Sequence, residues 1–179
     1  MRRMSAEIVS LLLSTILITA ACGTNATGIT PPVLPHDPVD EGWKAVENYE
    51  HAYNTKDADL LAVTLDSEFL HHLLEGDWGD YNGDGIIDST WGYDMELSMA
   101  EGYFSEYEYC ELNLEGDDHY TWPDDPSGES LAYQRSYYFK VYNKDPYQGF
   151  IEAGEFLLVC KPDSTGTWRL THLIDQDIL

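Results

Sequence analysis

The chain has 179 residues and carries 33 acidic against 9 basic side chains, which gives a formal net charge of −24 at pH 7. A field of this sign repels a phosphate backbone, so the composition excludes nucleic acid as a partner. The length provides for one domain with its own hydrophobic core.

The first 21 residues are typical of an export signal. A basic start precedes an apolar run from Ile8 to Ala20, and small residues lead up to Cys22. This pattern resembles the lipoprotein box of bacteria, in which the cysteine after the cleavage site is lipidated, for example with palmitate. We predict a signal peptide over 1–21 and a lipid anchor on Cys22. The protein would then be tethered in the bacterial cell envelope, facing the periplasm or the exterior. An ordinary secretory signal with an incidental Cys22 is the alternative.

Residues 22–39 predict a tether. This segment contains Pro31, Pro32, Pro35 and Pro38 among small polar residues. It holds too few apolar side chains to bury a core, so we place the folded domain at 40–179.

Three helices are predicted from apolar residues that recur every three or four positions. Asp40 is the predicted cap of the first helix, and Asp57 that of a second, shorter one. Asp94 is the predicted cap of the third helix, which runs to about Phe104.

A strand is predicted between the second and third helices, over Glu68 to Leu74. Successive side chains of a strand point to opposite faces, so His71 and His72 lie on different sides of it. At most one of the two histidines would line a pocket.

Residues 80–88 follow the Asp-x-Asn-x-Asp-Gly-x-x-Asp spacing of calcium loops such as those of dockerins and EF-hands. The predicted Ca²⁺ ligands are Asp80, Asn82, Asp84, Ile86 through its carbonyl, and Asp88. Position twelve is Trp91, where an EF-hand has a bidentate glutamate, so Asp94 or Glu96 would have to supply the last ligand. The alternative is a polar turn that binds no metal.

Four consecutive strands are predicted between Glu106 and Asp175. The last three alternate apolar and polar residues, and each apolar face contains a single polar interruption, at Arg135, Glu155 and His172. A tight turn centred on Asp145 would place residue 135 opposite residue 155. A second turn, over 162–165, would place residue 155 opposite residue 172. We therefore predict a row of Arg135, Glu155 and His172 across the buried face as the ligand-binding site.

Cys110 and Cys160 are predicted to be unpaired, buried thiols. They lie on the first and third strands of this run, and two strand spacings are too far apart for a disulfide.

The order of elements resembles that of the nuclear transport factor 2-like superfamily, which includes ketosteroid isomerases and scytalone dehydratase. The resemblance is carried by residues 49–61, 66–69 and 168–175. It implies an α+β, cone-shaped fold in which a curved, mostly antiparallel sheet is covered by three helices. The motifs specify the fold rather than the activity, so no catalytic residue of the family is carried over.

Two functions fit this interpretation. The favoured one is a lipid-anchored, non-catalytic module whose pocket binds a small ligand or an envelope protein, with calcium as a stabilising ion. The alternative is a lyase or isomerase of the ketosteroid-isomerase type that uses His172 as acid and base, tuned by Glu155 and Arg135. A homodimer is a further expected partnership.

Overall fold

Three helices cover one face of a seven-stranded sheet in the computed structural model, which describes residues 35–144 and 147–176. The predicted signal peptide, most of the predicted tether and the lipidation site Cys22 lie outside the described residues. Within them, no helix combines the length and the apolar character that a membrane span requires.

The helices are α1 (Gly42–Thr55), α2 (Ala58–Thr64) and α3 (Tyr93–Glu106). The cap of α2 is confirmed, because the Asp57 carboxylate accepts a hydrogen bond from the Leu60 amide at 2.8 Å. The other two predicted caps, Asp40 and Asp94, are wrong. The residues that directly precede α1 and α3 make no side-chain cap hydrogen bond.

The strands are β1 (Leu65–His72), β2 (Thr90–Gly92), β3 (Tyr109–Glu115), β4 (His119–Thr121), β5 (Leu131–Lys144), β6 (Tyr147–Pro162) and β7 (Trp168–Gln176). Their order in the sheet is β2-β1-β7-β6-β5-β3, and β4 pairs with β5. Every pairing is antiparallel except that of β1 with β7, which is parallel. The predicted α+β class, with a mostly antiparallel sheet under three helices, is confirmed. The short strands β2 and β4 were not predicted.

The main core lies between the helices and the face of the sheet that we call the inner face. Period-2 alternation places Tyr133, Tyr137, Phe139 and Val141 of β5 on this face, where all four are buried. Ala45, Val46, Ala52, Leu60 and Leu61 of the first two helices pack against the inner face.

Both cysteines of the domain belong to this core. Cys110 and Cys160 are buried and unpaired, as predicted. Their strands, β3 and β6, lie on opposite sides of β5.

The opposite face of the sheet, the outer face, has a smaller apolar cluster. Ala132, Leu157 and Val159 are buried there, with Trp122 and Ile174 packed beside them. Both faces of the middle of β6 are therefore covered, which explains the unbroken run of buried residues from Phe156 to Cys160.

The register between β5 and β6 differs from the predicted one by one residue. Lys144 pairs with Tyr147, so Arg135 lies opposite Phe156 and Ser136 lies opposite Glu155. A shift of one residue exchanges the faces of a strand. As a result Phe156 and Leu158 belong to the inner face, and Glu155 does not.

The register between β6 and β7 is interrupted by an irregularity between Val159 and Cys160. Val159 pairs with His172, whereas Cys160 pairs with Leu170. Because of this interruption Leu170 and Leu173 both face the main core, and His172 lies on the outer face.

The segment just before α1 is attached to the domain. The Val39 carbonyl accepts a hydrogen bond from the Trp168 amide at 2.9 Å, and the His36 amide donates to Asn48 Oδ1 at 3.1 Å. The contacts of the folded unit thus extend to residue 36.

Candidate functional site

A cavity of about 260 Å³ lies between α1, α3 and the inner face of the sheet. Its polar part is formed by His71 of β1, Glu96 of α3 and Asp175 of β7. The remainder is mainly aromatic, with walls from Tyr49, Tyr53, Tyr81, Trp91, Tyr103, Tyr137, Phe139 and Phe156.

His71 lies between two carboxylates at the polar end of this cavity. Its Nδ1 is 3.2 Å from Glu96 Oε2, and its Nε2 is 3.2 Å from Asp175 Oδ1. The Trp91 ring on the neighbouring strand β2 packs edge-on against the imidazole, with 4.6 Å between the ring centroids. The ring of His71 is therefore held in position on both nitrogens.

Glu96 is a buried carboxylate with four side-chain donors. Tyr49 and Tyr53 are four residues apart on α1, so both hydroxyls reach the same point and donate to Glu96 Oε1 at 2.9 Å. Trp91 Nε1 donates to Oε2 at 2.8 Å, beside the His71 contact. The side chain of Glu96 is 3% exposed, so these donors replace the water that it loses.

The two charges support each other's ionised forms. Burial alone lowers the pKa of His71, but the hydrogen bonds and charges of Asp175 and Glu96 outweigh it and raise the pKa to about 9. Burial raises the pKa of Glu96, but the hydrogen bond and charge of His71, with help from Trp91 and Tyr49, hold it far below its usual range. At neutral pH the cavity therefore contains an imidazolium whose two N–H groups both donate to carboxylates.

The aromatic wall is built around Tyr137, which stacks on Phe156 with 3.7 Å between the ring centroids. Gly154 makes this stacking geometry accessible, since a Cβ at that position would lie 2.7 Å from the Tyr137 ring. Tyr103 of α3 packs edge-on against Phe139 on the same wall.

Further carboxylates line the cavity on its more exposed side, at Asp77 and Glu152. The Tyr137 hydroxyl donates to Glu152 Oε1 at 2.9 Å. Burial raises the pKa of Tyr103 to about 12, and the negative charge of Glu152 adds to the effect. Burial, followed by the charge of Glu152, raises the pKa of Tyr137 even further. The tyrosines therefore stay neutral and act as hydrogen-bond donors.

Comparison with known proteins identifies the fold type of the domain. No protein-family model matches the sequence, and no curated protein is similar to it. Several solved structures are similar. A ketosteroid isomerase-like protein from Erwinia carotovora atroseptica matches with a TM-score of 0.54 and 13% identity, over 80% of this chain and 98% of that one. An uncharacterised protein with a cystatin-like fold from Caulobacter vibrioides matches with a TM-score of 0.55 and 14% identity, over 80% of this chain and 92% of that one. An NTF2-like superfamily protein from Salmonella enterica matches with a TM-score of 0.51 and 12% identity, over 76% of this chain and 87% of that one.

The domain has a nuclear transport factor 2-like fold. Identities this low establish the architecture alone, so the chemistry of the cavity has to be argued from its own residues.

The predicted row of Arg135, Glu155 and His172 does not form in this fold. Arg135 is on the inner face but lines a second cavity, where its guanidinium donates to the Asp118 carbonyl at 3.1 Å. Glu155 accepts a hydrogen bond from Gln134 Nε2 at 3.0 Å and pairs with Gln176 of β7. The one-residue difference in register separates these two side chains onto different faces.

His172 stacks on His72 on the outer face, with 5.6 Å between the ring centroids. Burial lowers the pKa of His172, and the charge of His72 lowers it further. The proposed partners Glu155 and Arg135 are not among the causes. The assignment of His172 as an acid–base group of the inner pocket is therefore wrong.

In the loop at 80–88, polar side chains accept hydrogen bonds from backbone amides of the same loop. Asp80 accepts hydrogen bonds from the Gly83 and Gly85 amides at 2.8 and 2.9 Å, and both glycines have positive φ. Among the described residues no group of three His, Cys, Asp or Glu side chains converges on a metal position. Glu96, a candidate for the missing last ligand, is committed to the cavity. Calcium binding by Asp80, Asn82, Asp84, Ile86 and Asp88 stays a prediction.

The residues that form the polar end of the cavity were not predicted from the sequence. His71 and His72 were placed correctly on opposite faces, but nothing in the sequence indicated which one is buried. Glu96 looks like any acidic residue in the first turn of a helix. Asp175 reaches the inner face only because of the irregular register of β7.

Proposed function

We propose that this protein binds a small organic ligand in the cavity between α1, α3 and the inner face of the sheet. The observation that carries the proposal is the combination of an aromatic wall with a pre-formed charged cluster at His71, Glu96 and Asp175. Small-molecule sites are typically apolar clefts with a few convergent polar groups, and their volumes are about 300–1,000 Å³. A cavity of about 260 Å³ lies just below this range and suits a ligand of a single ring or similar size.

Native mass spectrometry of the purified protein tests the proposal, together with a variant that fills the cavity. Met99 lines the cavity from α3 and is half-buried, so Met99→Trp should occupy the space without disrupting the fold. The native protein should carry or take up a small molecule that Met99→Trp cannot bind. Met95→Trp is the matched control, because Met95 is on the same helix and does not line the cavity.

The proposal fails if the native protein and Met99→Trp bind the same compounds equally well. It also fails if no bound molecule is found and no single-ring compound raises the melting temperature.

Acid–base catalysis of the lyase or isomerase type is the second candidate, now centred on His71 instead of His172. The observation that favours it is the position of His71 between two carboxylates inside the cavity. An imidazolium with a pKa of about 9 would act as an acid, and Asp175 would accept a proton from the substrate.

Exchange of carbon-bound hydrogens next to a carbonyl group, followed by NMR in D₂O with small cyclic ketones, distinguishes a catalyst from a binder. A catalyst would exchange these hydrogens and lose the activity in Asp175→Asn. A binder would leave the exchange at its uncatalysed rate.

We further propose that the domain is held in the bacterial cell envelope by a lipid on Cys22. The support is the basic start, the apolar run and the small residues before that cysteine. The membrane would be reached through this anchor, and the ligand would be collected outside the cytoplasm.

A further inference from the structure

We propose that the ligand of this cavity is a small organic cation, with an ammonium group attached to an aromatic or apolar body. This inference rests on the proposed function, because it names the ligand class of the same cavity. It follows from the charges that line the cavity, from carboxylate oxygens that accept no hydrogen bond from the described residues, and from the aromatic walls.

The lining of the cavity is strongly acidic. It contains Asp77, Glu96, Glu152 and Asp175 against the single imidazolium of His71, a net charge of −3. None of its described lining residues is a lysine or an arginine. Among the described lining residues an anionic ligand would find one positive group, and that group is already paired with two carboxylates. The overall charge of −24 also attracts cations toward the domain.

Three of these carboxylates have capacity left for a donor. The exposed Asp77 accepts the Tyr81 hydroxyl through its backbone carbonyl, and no described residue donates to its carboxylate. Asp175 uses Oδ1 for His71, and Glu152 uses Oε1 for the Tyr137 hydroxyl. The second oxygen of each accepts no hydrogen bond from the described side chains. An uncharged apolar ligand would cover these oxygens without pairing them, which costs free energy. An ammonium group brings three N–H donors and a positive charge.

The walls suit the rest of such a ligand. The faces of tyrosine, tryptophan and phenylalanine rings attract a cation within about 6 Å of the ring centroid. Tyr103, Tyr137, Phe139 and Phe156 form one continuous wall, on which an aromatic or aliphatic body can pack.

A metal ion fits the same cavity poorly. Hard cations such as Ca²⁺ and Mg²⁺ require several oxygen ligands in a tight shell. No such group of side chains converges among the described residues, and most of the lining is aromatic. The acidic groups and the rings together therefore favour an organic cation.

Isothermal titration calorimetry with three probes of similar shape tests the inference on the full chain at pH 7. The probes are benzylamine, benzyl alcohol and benzoate, which differ chiefly in charge. We expect benzylamine to bind about tenfold more tightly than benzyl alcohol, the effect of a charge-assisted hydrogen bond, and benzoate to bind not at all.

Glu152→Gln and Asp77→Asn identify the groups that select the cation. Both residues are exposed at the open side of the cavity, so the fold should tolerate either change, and a glutamine at 152 still accepts the Tyr137 hydroxyl. Each variant should weaken benzylamine binding severalfold and leave benzyl alcohol binding unchanged. Glu101→Gln is the control, since Glu101 is an exposed carboxylate on α3 that does not line the cavity.

The outcomes separate the two proposals. If benzyl alcohol or benzoate binds as tightly as benzylamine, the inference that the ligand is a cation is wrong. The same holds if the variants leave the preference for the amine unchanged. In either case the proposal of a small-ligand pocket is unaffected. If none of the three probes binds, and Met99→Trp also behaves like the native protein toward every compound tried, both proposals fall.

Discussion

At the scale of single residues, Glu96 is the side chain on which the hydrogen bonds of the cavity's polar end converge. It joins α1, β1 and β2 through four hydrogen bonds, from Tyr49, Tyr53, His71 and Trp91. Removing one member of a buried ion pair leaves the other charge uncompensated. The same cluster that shapes the ligand site should therefore also contribute strongly to stability.

Glu96→Gln should destabilise the domain by about 3–5 kcal/mol, the range found when one partner of a buried ion pair is removed. The amide offers a single oxygen to donors that occupy both oxygens of the native carboxylate, and its NH₂ group would face His71 and Trp91. Urea unfolding measures the loss. The exposed Glu101→Gln should change the free energy of unfolding by less than about 0.5 kcal/mol. Equal effects of the two variants would contradict the assigned role of Glu96.

The pH dependence of stability should reflect His71 and Glu96 in opposite ways. The pKa of His71 is raised in the folded state, so its contribution is complete below its ordinary value of 6.5 and is lost as pH rises through about 9. The pKa of Glu96 is lowered, so its contribution is complete above its ordinary value of 4.5 and is lost as pH falls below it. The contribution of the pair should therefore be largest between pH 4.5 and 6.5.

Unfolding measured across pH in the native protein and in His71→Gln checks this window. The difference in the free energy of unfolding between the two proteins should shrink above pH 6.5 and level off at a smaller value beyond pH 9. A difference that grows with pH would show that His71 is neutral in the folded protein.

At the scale of elements, the helices and the alternation within β5 were predicted well, whereas the faces of β6 and β7 and the relations between strands were not. Alternation within β5 identified its buried face correctly, because the pleat of a strand is a local property. The register of β6 depended on a single residue in the turn, and that of β7 on the interruption between Val159 and Cys160. Neither detail leaves a signal in hydrophobic periodicity, which is why the predicted row failed while the α+β architecture was right.

The loop at 80–88 provides the prediction at this scale. Asp80, Asp84 and Asp88 lie in one nine-residue segment, and a bound cation would relieve the electrostatic repulsion between their carboxylates. We expect saturating Ca²⁺ to raise the melting temperature and a chelator to reverse the change. Asp84→Ala should remove most of this response. The exposed Asp59→Ala, outside the loop, should keep it. A melting temperature that does not respond to millimolar Ca²⁺ would leave a polar turn without metal.

At the scale of the whole molecule, lipidation of Cys22 would tether this domain to a membrane. Cys22→Ala should then move the mature protein from the detergent phase to the aqueous phase in a phase-partitioning experiment. Cys110→Ala is the matched control, because that thiol is buried inside the domain. Identical partitioning of the native protein and Cys22→Ala would contradict the anchor.

The parallel pairing of β1 with β7 has a consequence for the order of events in folding. The contact between His71 and Asp175 joins residues 104 positions apart, and β1 waits for β7 as its neighbour in the sheet. Contacts that are distant in sequence form slowly. During synthesis the apolar side of β1, with Leu65 and Phe69, lacks one of its two neighbours in the sheet until β7 emerges. The apolar side of β1 is thus available for misassociation until β7 has been made, and the ligand site is among the last parts to be completed.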